Sequence, residues 1–163
     1  MENCALGRGP EKRGEIDLCF FPAGQLGVNL GGAVPQEGDD EDLQRFRISG
    51  FLEVGYIGIF DDDLFVLMLR GSGRVNHTAG SFPTTAEGTL GLTAIFASVD
   101  AILGRTLDDS GDTVVGFQVG LLDGARMFVP GITFGFERVL RRGASLSYFG
   151  VEWALPLVPR FFD

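Results

Sequence analysis

The feature that most constrains this chain is a repeated segment in which apolar side chains alternate with glycine or polar ones. In residues 25–31, Leu26, Val28 and Leu30 lie on one face, while Gln25 and Asn29 share the other with two glycines. Residues 45–56 repeat the pattern. Their apolar and aromatic side chains lie on one face: Phe46, Ile48, Leu52, Val54 and Tyr56. The polar side chains and a glycine lie on the other: Arg45, Arg47, Ser49, Glu53 and Gly55. Because side chains alternate across a strand with a period of two, the sequence predicts a sheet with two unlike faces.

The segments are spaced as strands of an antiparallel meander. Alternation or continuous apolar runs predict strands at residues 23–34, 44–60, 64–70, 88–98, 113–122, 127–140 and 145–155. An eighth strand would come from residues 15–21 or from residues 97–107. The periodicity of residues 97–107 supports neither a strand nor a short helix well, so both assignments stay open. Asp123-Gly124 is the favoured dipeptide of a two-residue hairpin. We therefore expect an all-β chain of about eight antiparallel strands closing into a barrel.

Length and glycine content agree with a small barrel. The 163 residues suit one domain, predicted at residues 23–163 after a loose N-terminal segment at residues 1–22. Glycine accounts for 25 residues, about twice its usual share of roughly 7%. The glycines lie inside the apolar runs and at their ends, where glycine marks a bulge, a bend at a barrel corner or a close approach of the backbone.

Charge and cysteine content exclude several classes of protein. The formal net charge of −9 leaves no basic footprint for nucleic acid. Cys4 and Cys19 have no CxxC partner and no histidine cluster, so no zinc site is predicted, and a disulfide and two free thiols both remain open. The acidic turns at residues 39–42, 61–63 and 108–112 lack the spacing of an EF-hand. We read them as solvated turns, with weak calcium binding at the loop tips left open, and predict no metal or cofactor.

Nothing in the sequence indicates catalysis. His77, the only histidine, lies in a polar stretch at residues 71–87 that we predict to be a long connection. It has no accompanying GxSxG or HExxH element, so it is expected to be a surface loop residue. We predict that the protein is not an enzyme.

The candidate site is instead a set of polar side chains on the glycine-bearing face. If that face closes inward, Arg47, Glu53 and Glu152 would pair in the interior, with Gln118 as a further member of the network. Such a buried network holds strands in register and needs to do no chemistry. If the sheet stays open, the same residues form an exposed polar face.

Three features together resemble the small bacterial outer-membrane β-barrels. The strands have the form apolar–small–apolar–polar, short and long connections alternate, and Arg160-Phe161-Phe162 follows the final strand. The resemblance covers residues 24–162 and implies that the apolar face meets a lipid bilayer while the polar face fills the interior. It further implies an outer-membrane location, a structural, adhesive or surface-interaction role, and loops at residues 35–42 and 71–87 projecting from one rim.

The competing interpretation is a soluble, lipocalin-like barrel that binds an apolar small molecule inside. In that case the Phe and Leu face points inward, Arg45, Arg47 and Glu53 face water, and the protein is cytoplasmic. Residues 1–13 contain no apolar stretch of a secretory signal, so the protein stays where it is made or the sequence is a mature or truncated form. The direction in which the apolar face points decides between the two.

Overall fold

Eight antiparallel β-strands, each paired with its neighbour in sequence, form the fold. The computed structural model describes residues 17–36, 45–61, 64–80, 82–94, 97–122 and 129–157. The strands are β1 (Asp17–Pro35), β2 (Arg45–Asp61), β3 (Leu64–Thr78), β4 (Thr85–Thr93), β5 (Ala97–Thr106), β6 (Thr113–Leu121), β7 (Gly131–Val139) and β8 (Ser145–Leu157).

The last strand pairs with the first and closes the barrel. β8 runs antiparallel to β1 from Gly24↔Leu157 to Pro35↔Leu146, and all other pairs join consecutive strands. The predicted all-β meander of about eight strands, closed into a barrel, is therefore confirmed. No helix in the described residues is long and apolar enough to cross a membrane.

The register sets the tilt of the strands. A path that crosses from strand to strand along paired residues, starting at Gln25 on β1, returns to β1 at Pro35, ten residues further on. With a rise of about 3.3 Å per residue and a strand spacing of about 4.8 Å, this stagger gives a tilt of about 40°. The nine- and ten-residue strands β4 to β7 then span about 22–25 Å along the barrel axis.

The connection predicted at residues 71–87 is wrong in extent. β3 continues to Thr78 and β4 begins at Thr85, so only residues 79–84 join them. The stretch has polar residues at alternate positions, a composition that a loop and a strand with a polar face share. In the barrel those positions, including Arg74 and Asn76, face inward, and both side chains are buried.

Two other expectations about the elements change. The N-terminal segment predicted to be loose up to residue 22 already contains the start of β1 at Asp17, whereas residues 1–16, with Cys4, lie outside the described residues. Residues 97–107 resolve as β5, because residues 97–106 pair with β4 on one side and β6 on the other. The Asp123-Gly124 dipeptide lies outside the described residues, and β6 and β7 end and begin at Leu121 and Gly131.

The connections divide between the two ends of the barrel. One end, here the loop rim, carries the β1–β2, β3–β4, β5–β6 and β7–β8 connections. The other end, the turn rim, carries the remaining three connections, the start of β1 and the end of β8. The loops predicted to share a rim therefore do belong to one end of the barrel by topology, although residues 37–44 lie outside the described part of the chain.

Candidate functional site: the polar interior

The barrel has mostly polar side chains inside and apolar side chains outside, the reverse of the arrangement in a soluble protein. Among the described residues, 22 polar or charged side chains are buried, against nine hydrophobic ones, and 24 large hydrophobic side chains are exposed. On β1, Gln25 and Asn29 point inward, whereas Leu26, Val28 and Leu30 point outward. The polar interior is therefore the most distinctive site in the described structure.

Inward glycines make room for long side chains from the next strand. Gly135 pairs with Tyr148, Gly91 with Asp100, and Gly104 with Glu87. In each pair, a Cβ on the glycine would overlap the partner's side chain. A glycine opposite a large residue lets the large side chain lie flat across the barrel wall, so the glycines shape the interior rather than loosen it.

Near the turn rim, Arg70 of β3 joins two carboxylates. Its Nε and Nη2 donate hydrogen bonds to the two oxygens of Asp100 on β5 at 3.0 and 2.6 Å, a bidentate arrangement. Nη2 also donates to Ser98 Oγ at 3.0 Å, and Nη1 lies 3.7 Å from Glu53 Oε2 on β2. The guanidinium thus ties β2, β3 and β5 together across the interior.

Gln118 of β6 connects this group to a second arginine. Its Nε2 donates to Asp100 at 2.8 Å, while its Oε1 accepts hydrogen bonds from Arg74 Nη1 at 2.5 Å and from the Tyr148 hydroxyl at 3.2 Å. Arg74 Nη2 also lies 3.6 Å from Glu152 Oε2. The side-chain amide has both donor and acceptor groups, which allows it to bridge a carboxylate and a guanidinium.

The third arginine, Arg47, lies towards the loop rim. Its Nη2 forms an ion pair with Glu137 of β7, its Nη1 donates to Thr78 Oγ1 at 3.2 Å, and its guanidinium lies 4.2 Å from the centre of the Tyr148 ring. Stacking of a guanidinium on an aromatic face is favourable in a desolvated setting. Arg47 therefore links β2, β3, β7 and β8.

The buried charges are unequal in number. Besides the three arginines, the described interior contains Glu53, Glu87, Asp100, Glu137 and Glu152. Glu87 is the one of these that forms no ion pair among the described residues. Its Oε1 accepts a hydrogen bond from the Thr85 hydroxyl at 2.5 Å, and its Oε2 has no hydrogen-bond partner.

All four residues of the predicted network are at most 2% exposed, but their pairing differs from the expectation. Arg47 pairs with Glu137, whereas Glu53 and Glu152 lie beside Arg70 and Arg74. The sequence reasoning missed those two arginines, Asp100 and Glu137. Arg70 and Arg74 could have been found by extending the two-residue period through residues 70–78.

An apolar group closes the interior at the loop rim. Phe82, from the β3–β4 connection, packs with side chains from five strands: Ala33, Ile102, Val114, Val139, Leu146 and Tyr148. The described interior therefore runs from ionic near the turn rim to apolar near the loop rim.

The outer surface holds the remaining sequence candidates. His77 lies on β3 rather than in a loop; its side chain is exposed and its Nδ1 is 2.9 Å from Thr84 Oγ1. In the 108–112 turn, Arg142 of the β7–β8 connection contacts Asp108, and its Nε donates to Asp112 at 2.9 Å. This turn is therefore bonded to a neighbouring turn rather than simply solvated, and among the described residues no group of three possible metal ligands is found.

The hydroxyl groups of Ser110 and Thr106 donate hydrogen bonds to Asp108, at 2.6 and 2.7 Å. Together with Arg142 these bonds lower the pKa of the Asp108 carboxyl well below its usual range. The hydrogen bond between Arg142 and Asp108 in turn raises the pKa of the Arg142 guanidinium. The β5–β6 and β7–β8 connections are thus held together by an ionised pair.

Comparison of the chain with protein-family models finds no match, and neither a curated protein nor a solved structure matches it.

Proposed function

We propose that this protein is a small outer-membrane-type β-barrel that spans a lipid bilayer and has a structural, adhesive or surface-interaction role without catalysis. The observation that supports the proposal is the inverted distribution of side chains, with ionic groups inside and a belt of leucine, valine and phenylalanine outside. An exposed apolar surface that surrounds a whole barrel far exceeds the few hundred Å² typical of a soluble monomer. A hydrocarbon environment removes this cost, because the outward side chains then meet lipid.

The height of the barrel agrees with a bilayer. Strands β4 to β7 have nine or ten residues, within the range of about 9–11 residues that crosses a membrane at a steep tilt. Their span of about 22–25 Å matches an apolar band of about 25 Å. Closure also leaves no unpaired strand edge, which hydrocarbon would not tolerate.

The soluble, ligand-binding alternative requires the opposite orientation. It needs the apolar face to line a cavity, yet Phe46, Ile48 and Leu52 are exposed, while Arg47 and Glu53 are buried. An apolar ligand in the described interior would have to displace the paired arginines and carboxylates, and each buried charge left unpaired is costly. We therefore favour the membrane proposal.

Two leucine substitutions test it directly. Leu90 lies outward near the middle of β4 and is 60% exposed, while Leu107 lies just beyond β5 in the β5–β6 connection and is 58% exposed. In phosphatidylcholine vesicles, Leu90→Arg should lower the free energy of unfolding by about 2–4 kcal/mol, and the matched control Leu107→Arg by at most about 1 kcal/mol. The measurement is urea unfolding followed by the fluorescence of Trp153, the only tryptophan.

A soluble barrel predicts a different result. Both leucines would then face water, and both substitutions would change stability by less than about 0.5 kcal/mol. Equal, small effects, or an intact protein that stays monomeric at high concentration without detergent, would contradict the proposal.

A further inference from the structure

The polar exceptions on the outer surface all lie at one end of the barrel. Among outward strand positions whose exposure is described, every residue is apolar, alanine or glycine except His77, Arg105, Thr113, Arg138, Ser147 and Ser145, the last of which is buried. Each of these six lies within three residues of the loop-rim end of its strand. None of these outward strand residues is a carboxylate; the acidic residues described in the connections at this end are Asp108, Asp109 and Asp112, all between β5 and β6.

Two of these residues, Arg105 and Arg138, lie on either side of β6. Arg105 pairs with Thr113, and Arg138 pairs with Val115, two residues further along the same strand. Two strand spacings and an offset of two residues place the two Cα atoms about 12 Å apart. Because the strands tilt, this offset brings both residues to nearly the same height on the barrel, with Thr113 between them.

Neither arginine has a counter-ion among the described residues. Both side chains are exposed, and neither forms a hydrogen bond or ion pair with another described residue. The nearby Arg142 differs, because its guanidinium forms salt bridges with Asp108 and Asp112. The two free guanidinium groups therefore border the apolar belt at the level where a bilayer has its headgroups.

We propose that Arg105 and Arg138, with the Thr113 hydroxyl between them, bind the phosphate of an anionic lipid headgroup in the leaflet at the loop rim. The inference rests on the proposed membrane function. Guanidinium groups bind phosphate oxygens through paired, charge-assisted hydrogen bonds, and a hydroxyl adds a further donor. Binding would give each arginine a counter-ion at a depth where its aliphatic part contacts acyl chains and its charged end reaches the headgroups.

The test measures binding of phosphatidylglycerol to the full chain in an uncharged detergent, by native mass spectrometry. The Arg105→Gln/Arg138→Gln variant should weaken the apparent affinity about tenfold or more, with each single variant intermediate. The control, Arg141→Gln, removes the same charge from the exposed β7–β8 turn and should bind as the unaltered protein does. Arg105→Lys with Arg138→Lys keeps the charge but loses the paired geometry, so its affinity should lie between the two.

Several outcomes would overturn the inference. These are equal affinity in the double glutamine variant, an equal loss in Arg141→Gln, or displacement of the lipid by inorganic phosphate, which would indicate a site for the free anion. If the double variant does not fold, the two single variants carry the same test. If the protein inserts into vesicles and Leu90→Arg is destabilising, but the arginine variants retain the lipid, this inference alone fails. If the protein does not insert at all, the proposed function fails as well.

Discussion

At the scale of single residues, the interior depends on matching a glycine to each large inward side chain. Tyr148 illustrates this, because its ring lies over Gly135, its hydroxyl donates to Gln118, and Arg47 stacks on its face. The ring can make all three contacts only if no Cβ occupies the position opposite. The glycines and the ion pairs of the interior are therefore parts of one arrangement.

Gly135→Ala should therefore destabilise the barrel by about 1–3 kcal/mol, because its Cβ would overlap the Tyr148 ring and displace it. The matched control is Gly73→Ala on the outward face of β3, where a Cβ would have no atom within 4 Å. Its effect should be within about 0.5 kcal/mol. Urea unfolding of both variants measures the difference. Equal stabilities would show that the interior can rearrange around Tyr148 at no cost.

At the scale of elements, the loop rim is held by bonds between connections. Leu107 N donates to Thr84 O at 2.8 Å, which joins the β5–β6 and β3–β4 connections, and Leu140 N donates to Thr113 O at 3.0 Å. The Asp108–Arg142 pair adds the β7–β8 connection. Because neighbouring connections at this rim are bonded to one another, we expect a loss of order in one of them to loosen the next.

The lowered pKa of Asp108 predicts a loss of order in acid. A carboxylate whose pKa is lower in the folded state stabilises that state above its unfolded pKa of about 3.9, and the contribution is lost as the pH falls through the folded value. Protection of the Asp112 amide, which donates to Thr106 Oγ1 at 2.8 Å, should be high at pH 6 and should fall steadily below about pH 4. Hydrogen exchange, corrected for the intrinsic rate, measures it.

In Asp108→Asn, the side chain at position 108 no longer titrates, so the protection of this amide should be lower at pH 6 and should change less on acidification. Identical profiles for the two proteins would mean that Asp108 does not control the order of this rim.

At the scale of the whole molecule, the interior is filled rather than open. Ion pairs fill the interior from near the turn rim towards the loop rim, and the apolar group around Phe82 and Leu146 closes the interior at the loop rim. An eight-stranded barrel has an interior just wide enough for side chains, so we expect the paired side chains of the described interior to leave no continuous path for water. We therefore expect the barrel to interact with lipids and partners through its outer surface and its loops, and not through its interior.

We accordingly expect no ion conductance when the protein is reconstituted in a planar bilayer. Current recordings at applied voltage should show the baseline of the lipid alone, with a porin of known conductance as the positive control. Regular current steps that appear only with the folded protein would show that the interior opens, and would contradict the closed arrangement of Arg47, Arg70 and Arg74.

The fold class and the two faces of the barrel follow from the alternation of side chains along the chain. The alternation of Leu26, Val28 and Leu30 with Gln25 and Asn29 is enough, because the two-residue period of a strand assigns each side chain to a face without reference to any other strand. The same rule would have placed Arg70 and Arg74 on the inward face. We missed them because polar residues at residues 71–78 were attributed to a loop.

Which face is inside and which charges meet depend on how the sheet closes. A two-residue period is the same whether a sheet curls one way or the other, so the alternation favoured neither face as the interior, and the preference for a lipid-facing barrel came from the resemblance. The pairing of Arg47 with Glu137, and of Arg70 with Asp100, depends on the ten-residue stagger accumulated over eight strand pairs. Pairings of this kind join residues 30 to 90 positions apart, and no local pattern in the chain records the register that brings them together.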